Sequence, residues 1–237
     1  MRSIGVLFAL EREARSTLDD PFFSWKAAAA GLWTSERLPI RLTISGIGKA
    51  FAGAGAARVS DGASLLLSLG TSGSLSGGTA VGGLVLAGEF VEYDMDMSAL
   101  RYPPGLTPFC GMRDPLLRSA GEETLAAARE SLAALGLAYA EGIVTSGDAF
   151  MDDPSRANFI RDRTNALAVD MESAAIAKVA LYGGLGAKGA ALEALAFRVL
   201  SDAADRHAPR AWCGDSEGLC GPLGAFLKEF APRFCGD

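Results

Sequence analysis

Val169-Asp170-Met171-Glu172-Ser173-Ala174-Ala175, followed one apolar run later by Arg198-Val199-Leu200-Ser201-Asp202, decides how this chain is read. An apolar stretch ending at Val169 and small residues after it predict a strand that passes into a helix starting near Asp170. Glu172 then falls in the first helical turn, where the positive end of the macrodipole holds a carboxylate ionised and able to accept hydrogen bonds from vicinal hydroxyls. Asp202 follows the apolar run Ala194 to Leu200. The outer end of such a strand in an α/β sheet is where ligands bind. The two acids suggest a sugar held beside a proton donor.

Outward from that pair, apolar runs bounded by Gly, Ser or Asp recur at Ile4 to Phe8, Leu65 to Leu69, Leu84 to Phe90 and Gly142 to Thr145, and read as buried strands like Ala194 to Leu200. Helical patterns lie between them at Lys49 to Val59, Pro115 to Leu135, Pro154 to Arg163 and Asp170 to Leu181, with a last amphipathic helix from Pro222 to Phe230. The segment Trp25 to Ile44, where Leu38, Ile40, Leu42 and Ile44 alternate, predicts an antiparallel excursion. The expected fold is therefore α/β, a three-layer α/β/α arrangement around a mixed central sheet, in one domain over residues 1–237. The Gly- and Ser-rich stretch Gly70 to Gly83 sits between two apolar runs and is expected to be an active-site loop whose glycines admit a ligand close to the backbone.

Composition narrows the function. The chain has 237 residues, 49% of them hydrophobic, enough for one sizeable core, and a net charge of −6. Without a basic cluster, neither nucleic acid nor an anionic membrane is an expected partner, and a neutral or zwitterionic small molecule fits better. No stretch approaches the roughly 18 to 20 apolar residues of a membrane span, and a cytoplasmic location is expected. Cys110, Cys213, Cys220 and Cys235, with His207, match no usual zinc-ligand spacing, so reduced cysteines and no metal are expected. Two glycine patterns are decoys. Gly184-x-Gly186-x-x-Gly189 follows a helix instead of a strand, and Gly46-Ile47-Gly48-Lys49 lacks the first glycine and the final hydroxyl residue of a phosphate loop.

The same residues carry a resemblance. Ile4 to Glu13, Ser45 to Lys49, Gly70 to Gly73, Asp94 to Met97, Ser146 to Phe150, Val169 to Ala175 and Arg198 to Asp202 run in order along the chain. This ordered set, over about residues 3 to 205, resembles the nucleoside phosphorylase and nucleosidase superfamily, and within it the 5′-methylthioadenosine/S-adenosylhomocysteine nucleosidases. The resemblance implies cleavage of an N-glycosidic bond in a purine nucleoside without a cofactor. Asp202 is then the general acid at the purine N7, with Ser201 orienting its carboxyl; its alternative role is a simple helix or turn cap. Glu13 is implied to activate water, with Arg198 and the Thr71 hydroxyl holding that water. Arg198 has a competing reading as a buried structural ion pair. Glu172 is implied to bind the ribose 2′- and 3′-hydroxyls over Met171, while Phe150 stacks on the base and the Met151 backbone reads its edge; the competing reading of Phe150 and Met151 is ordinary core. Leu10 and Ile47 are implied to meet the 5′ substituent, and Trp212, beyond the stretch that carries the resemblance, is assigned there with them.

Departures from the family pattern are Asp170 for the first acid of V-E-M-E, Thr71 and Ser74 in the S-A-G-G loop, and a long Gly183 to Glu193 connection. Phosphorolysis needs an arginine for the anion, and the phosphorylase branch places one where this chain has Ser68; a carboxylate at Glu13 would also repel phosphate. Hydrolysis is the expected reaction, a phosphate-dependent purine nucleoside phosphorylase the alternative, and a non-catalytic nucleoside-binding homologue a third reading. The segment Asp94 to Pro108 resembles a loop that closes over the partner's 5′ pocket in the dimeric enzymes, which implies a homodimer with Tyr102 or Pro104 shaping that pocket.

Overall fold

The computed structural model describes residues 2–76, 80–183, 191–214 and 218–236. The Gly184 to Gly189 pattern lies outside the described residues, as do most of the Gly183 to Glu193 connection and positions 77–79 of the expected loop. From the N-terminus the elements are β1 (Ile4–Phe8), α1 (Glu11–Leu18), β2 (Trp25–Ala29), β3 (Leu32–Ser35), β4 (Ile40–Ile44), α2 (Lys49–Val59), β5 (Leu65–Ser74), β6 (Leu84–Glu92) and β7 (Leu117–Arg118). They continue as α3 (Glu122–Ala134), β8 (Ala140–Ser146), α4 (Pro154–Thr164), β9 (Ala166–Asp170), α5 (Ser173–Tyr182), β10 (Glu193–Asp202), α6 (Ala208–Cys213) and α7 (Gly221–Cys235).

The sheet is mixed, as the pattern predicts. β1 lies parallel between β4 and β5, and the Trp25 to Ile44 excursion is the antiparallel run β2, β3, β4. β10 pairs parallel with β5 on one side and antiparallel with β6 on the other. β6, β8 and β9 continue in parallel, and β9 returns antiparallel to the end of β5, so five of the strands close into a ring.

Side chains alternate across this sheet. Ile4, Val6, Phe8, Leu65, Leu67, Leu69, Leu195 and Phe197 belong to one core cluster with α7, whereas Leu7, Leu66, Ala196 and Leu200 belong to a second with α2 and α5. In the first cluster the rings of Phe197, Phe226, Phe230 and Phe234 follow one another at centroid spacings of 4.5, 5.1 and 5.4 Å.

Four expectations are corrected. The helix expected over Pro115 to Leu135 starts at Glu122, because Leu117 and Arg118 pair instead with Phe90 and Glu89 of β6. The strand expected to stop at Leu69 runs on to Ser74, because β10 pairs with it from Leu65 to Gly73 and β9 with Gly73 and Ser74; Gly70 to Ser74 is strand, not loop. The helix expected from Asp170 begins at Ser173, since Asp170 is still paired in β9. The last helix continues past Phe230 to Cys235, where burial of Phe234 extends the apolar face around an internal Pro232.

Candidate functional site

Three strand ends supply three acids. β1 is followed after two residues by α1, and Glu13 in the first turn reaches back so that its Oε2 accepts the Leu10 N–H at 3.3 Å, half of a capping box. Its Oε1 accepts both the backbone N–H and the hydroxyl of Thr71, at 2.9 and 2.7 Å, tying α1 to β5, the strand beside β1. Glu13 is 4% exposed.

Between β9 and α5 the backbone is capped by Asp170, whose Oδ1 accepts the N–H groups of Glu172 and Ser173, both at 3.2 Å. That releases the Glu172 side chain to turn away from its own helix, and its Oε1 accepts the Gly48 N–H at 2.9 Å. Gly48 has φ +97°, a conformation that glycine adopts without strain. The glycines of the rejected phosphate-loop pattern thus present an N–H to a carboxylate. The expectation that Glu172 sits in the first turn, held ionised, is corrected: it is the residue before the helix. Burial, then the Asp170 charge, push its pKa up to about 7 against the opposing pull of Arg198 and the Gly48 N–H.

Asp202 closes β10. Its Oδ2 accepts the Ser201 hydroxyl at 2.8 Å and its Oδ1 the Ala204 N–H at 2.9 Å, with Ala204 at φ +50°. Burial raises its pKa above the usual carboxylate value despite those two bonds. A Cβ on Gly73 of the adjacent strand would stand 2.9 Å from Asp202 Oδ1, so glycine is required there for the carboxyl to lie against β5.

Beneath these acids lies a buried polar network. Arg198 Nη2 meets Asp170 Oδ2 at 2.8 Å and donates to Ser68 Oγ at 2.6 Å and Ser173 Oγ at 2.7 Å, while the hydroxyls of Ser146 and Ser173 each donate to Asp170 at 2.5 Å. A Cβ built on Gly70 would come within 2.5 Å of Arg198 Nη1 and 3.3 Å of both Glu13 oxygens. The guanidinium and the Glu13 carboxylate thus converge on a residue that has no side chain to separate them.

One cleft gathers Leu10, Glu13, Ile47, Thr71, Phe150, Met151, Met171, Glu172, Ser201, Asp202 and Trp212. Phe150 and Trp212 meet edge to face at 5.7 Å. Arg198 does not line this cleft; it stands behind Gly70, paired with Asp170. Tyr102 and Pro104 do not line it either; Tyr102 packs edge-on to Phe109 at 5.8 Å.

Sequence reasoning gave no role to Ser146 and Ser173 and weighed Ser68 only as the position of the phosphorylase arginine. The signal was a hydroxyl residue interrupting or ending an apolar strand, which needs a buried partner. It also passed over Lys49, whose ammonium bonds Glu92 and Asp94 at 2.6 Å each, with Lys178 on the other oxygen of Glu92. Burial works against the Lys49 charge, yet these two acids leave its pKa above the usual lysine value. The network fixes the start of α2 and with it the Gly48 N–H.

A model of the phosphorylase superfamily matches residues 4–221. The 5′-methylthioadenosine/S-adenosylhomocysteine nucleosidases of Geobacillus thermodenitrificans and Geobacillus kaustophilus are 38% and 37% identical over 144 residues, which are 59% of this chain. The aligned stretch spans 59% and 60% of the length of those relatives. Among solved structures, the 5′-methylthioadenosine/S-adenosylhomocysteine nucleosidase of S. pneumoniae, bound to a transition-state inhibitor, superposes with TM-score 0.80 at 25% identity, over 96% of this chain and 99% of that one. The native futalosine hydrolase of Helicobacter pylori superposes with TM-score 0.82 at 25% identity, over 97% of each chain.

Proposed function

The chain belongs to the phosphorylase superfamily, and from that premise we propose that it hydrolyses the N-glycosidic bond of purine nucleosides of the 5′-methylthioadenosine and S-adenosylhomocysteine type. The observation that carries the proposal is the convergence of three buried carboxylates, Glu13, Glu172 and Asp202, on a cleft walled by Phe150, Met151 and Met171. Such a bond breaks through an oxocarbenium-like sugar, so the departing base must be neutralised and a nucleophile held opposite it.

In the proposed reaction Asp202, whose protonated form burial favours and which Ser201 orients, donates a proton to the purine N7 as the bond from C1′ to N9 breaks and its electron pair leaves with the base. Glu172 accepts hydrogen bonds from the ribose hydroxyls above Met171. Glu13, fixed by Thr71, takes a proton from the water whose oxygen bonds to C1′. Arg198 acts from behind Gly70 as a positioning residue, its guanidinium beside the Glu13 carboxylate and locked by Asp170, Ser68 and Ser173. Phe150 and Met151 receive the base, and Leu10, Ile47 and Trp212 the 5′ substituent. No metal or organic cofactor enters this scheme, and the proposed setting is a single domain over residues 1–237 in the cytoplasm. Among the described residues no helix is long and apolar enough to cross a membrane.

Phosphate is excluded from the scheme by Ser68, which accepts from Arg198 instead of offering a cation, and by the charge of Glu13. Adenine release from 5′-methylthioadenosine in phosphate-free buffer, at a rate unchanged by added phosphate, is the expected result. Release that requires phosphate makes the chain a phosphorylase, and binding without release makes it a nucleoside-binding homologue.

The active unit we propose is a homodimer. Phe51 on α2 and Leu100 and Phe109 on the segment that Lys49 ties to α2 through Asp94 are 63%, 59% and 88% exposed, an apolar surface suited to a second copy that brings Tyr102 or Pro104 to the partner's 5′ pocket. Sedimentation velocity should show a particle of two chains, and Phe109→Glu with Phe51→Glu should shift it toward one; a monomer before any substitution would refute this.

A further inference from the structure

Lys49, the first residue of α2, joins three stretches singled out in the sequence: Ser45 to Lys49, Asp94 to Met97 and Ser146 to Phe150. Its ammonium bonds Glu92 and Asp94 at 2.6 Å each and stands 3.9 Å from Asp148 Oδ2. Its backbone N–H donates to Asp148 Oδ1 at 2.8 Å, and the Asp148 N–H donates to Asp94 Oδ2 at 2.8 Å, which closes a ring of contacts around the start of the helix. Nothing local holds that start. Gly48 offers no side chain to cap α2, and Gly53 and Gly55 stand in the helix interior, each costing about 1 kcal/mol against alanine. The direction of the Gly48 N–H is therefore set from outside, by the acids that grip the next residue. A Cβ on Gly48 would stand 3.1 Å from Asp148 Oδ1, so Asp148 also packs against the peptide that carries this N–H. Glu172 Oε1 accepts it at 2.9 Å, whereas the bond to Glu172 Oε2, from the Met171 N–H at 3.3 Å, comes from the adjacent residue.

We propose that Lys49 is a positioning residue for ribose recognition: gripped by Glu92, Asp94 and Asp148, it fixes the Gly48 N–H that aims the Glu172 carboxylate at the sugar hydroxyls. Lys49 does not line the cleft and touches no substrate in this role, which rests on the nucleosidase reading and deepens it. Without the Gly48 bond, Glu172 keeps only a tie inside its own turn. Its carboxylate then loses the fixed direction that hydrogen bonds to vicinal hydroxyls demand.

The test compares kcat/KM for 5′-methylthioadenosine and for its 3′-deoxy analogue, in the unaltered protein and in Lys49→Met, Lys49→Arg and Asp148→Ala. A merely structural loss scales both substrates alike, because it changes only the amount of competent protein. The preference for the 3′-hydroxyl should instead fall about tenfold in Lys49→Met, the size of one hydrogen bond to a charged group, and be kept in part by Lys49→Arg. Asp148 is exposed, so Asp148→Ala keeps the fold even if Lys49→Met does not; it frees the Lys49 N–H, leaves the ammonium paired and should lower the same preference. An unchanged preference in Lys49→Met, or in Asp148→Ala if the first does not fold, overturns the role of Lys49 and leaves the nucleosidase reading intact. So does the absence of any preference in the unaltered protein. No base released from 5′-methylthioadenosine by the unaltered protein overturns both.

Discussion

Exchanging Asp202 for Asn lowers kcat for base release by about a thousandfold, within the range that removal of a general acid produces, and leaves KM close to its original value. The reasoning is local. An asparagine oxygen still accepts the Ala204 N–H, and its amide still meets the Ser201 hydroxyl, so the end of β10 keeps its shape. What is lost is the transferable proton. Because burial raises the Asp202 pKa, the unaltered protein should hold that proton at a pH where an exposed aspartate has lost it, and kcat should decline as pH rises through the raised value. Steady-state kinetics on both proteins across pH checks this; equal rates, or a residual rate with the same alkaline decline, would remove Asp202 from the chemistry.

The second large effect is on stability. Glu172 has a folded pKa of about 7 against a usual 4.5. Between those values the folded chain binds a proton that the unfolded chain has released, so stability falls as pH rises, and the favourable contribution is fully present only below about 4.5. The 2.5-unit difference corresponds to a loss on the order of 3 kcal/mol between pH 4 and pH 8, from about 1.4 kcal/mol per unit. Glu172→Gln carries no such proton. The stability of the unaltered protein relative to this variant should therefore drop by that amount over the same range in urea unfolding. Parallel pH curves for the two proteins would contradict the raised value.

The strands were legible because their apolar runs are short and bounded by turn residues, and Glu172 and Asp202 stood out because nothing in an apolar pattern asks for a carboxylate there, whereas Glu13, one of two acids in the first turn of α1, was legible only through the family resemblance. The limits were equally physical. Hydropathy marks where a strand is buried, not where its hydrogen-bonded partner stops, and so the extension of β5 through Gly70 to Ser74 was invisible until β10 was placed beside it. Leu117 and Arg118 sat within a plausible helical pattern, and only the free edge of β6 turned them into a strand. The network of Ser68, Ser146, Ser173, Asp170 and Arg198 joins residues up to 130 positions apart, and no spacing rule connects a lone serine in one strand to an arginine in another.

The pairing of β10 with β5 also sets when this protein becomes competent. Residues 193–202 are made well over a hundred positions after residues 65–74, and contacts of such sequence separation are the slow ones in folding. A nascent chain halted before residue 193 has its apolar β5 edge open on that side, a surface prone to association, and it has neither Arg198 nor Asp202. Maturation of the catalytic cleft and protection of the most vulnerable edge are therefore one and the same late event.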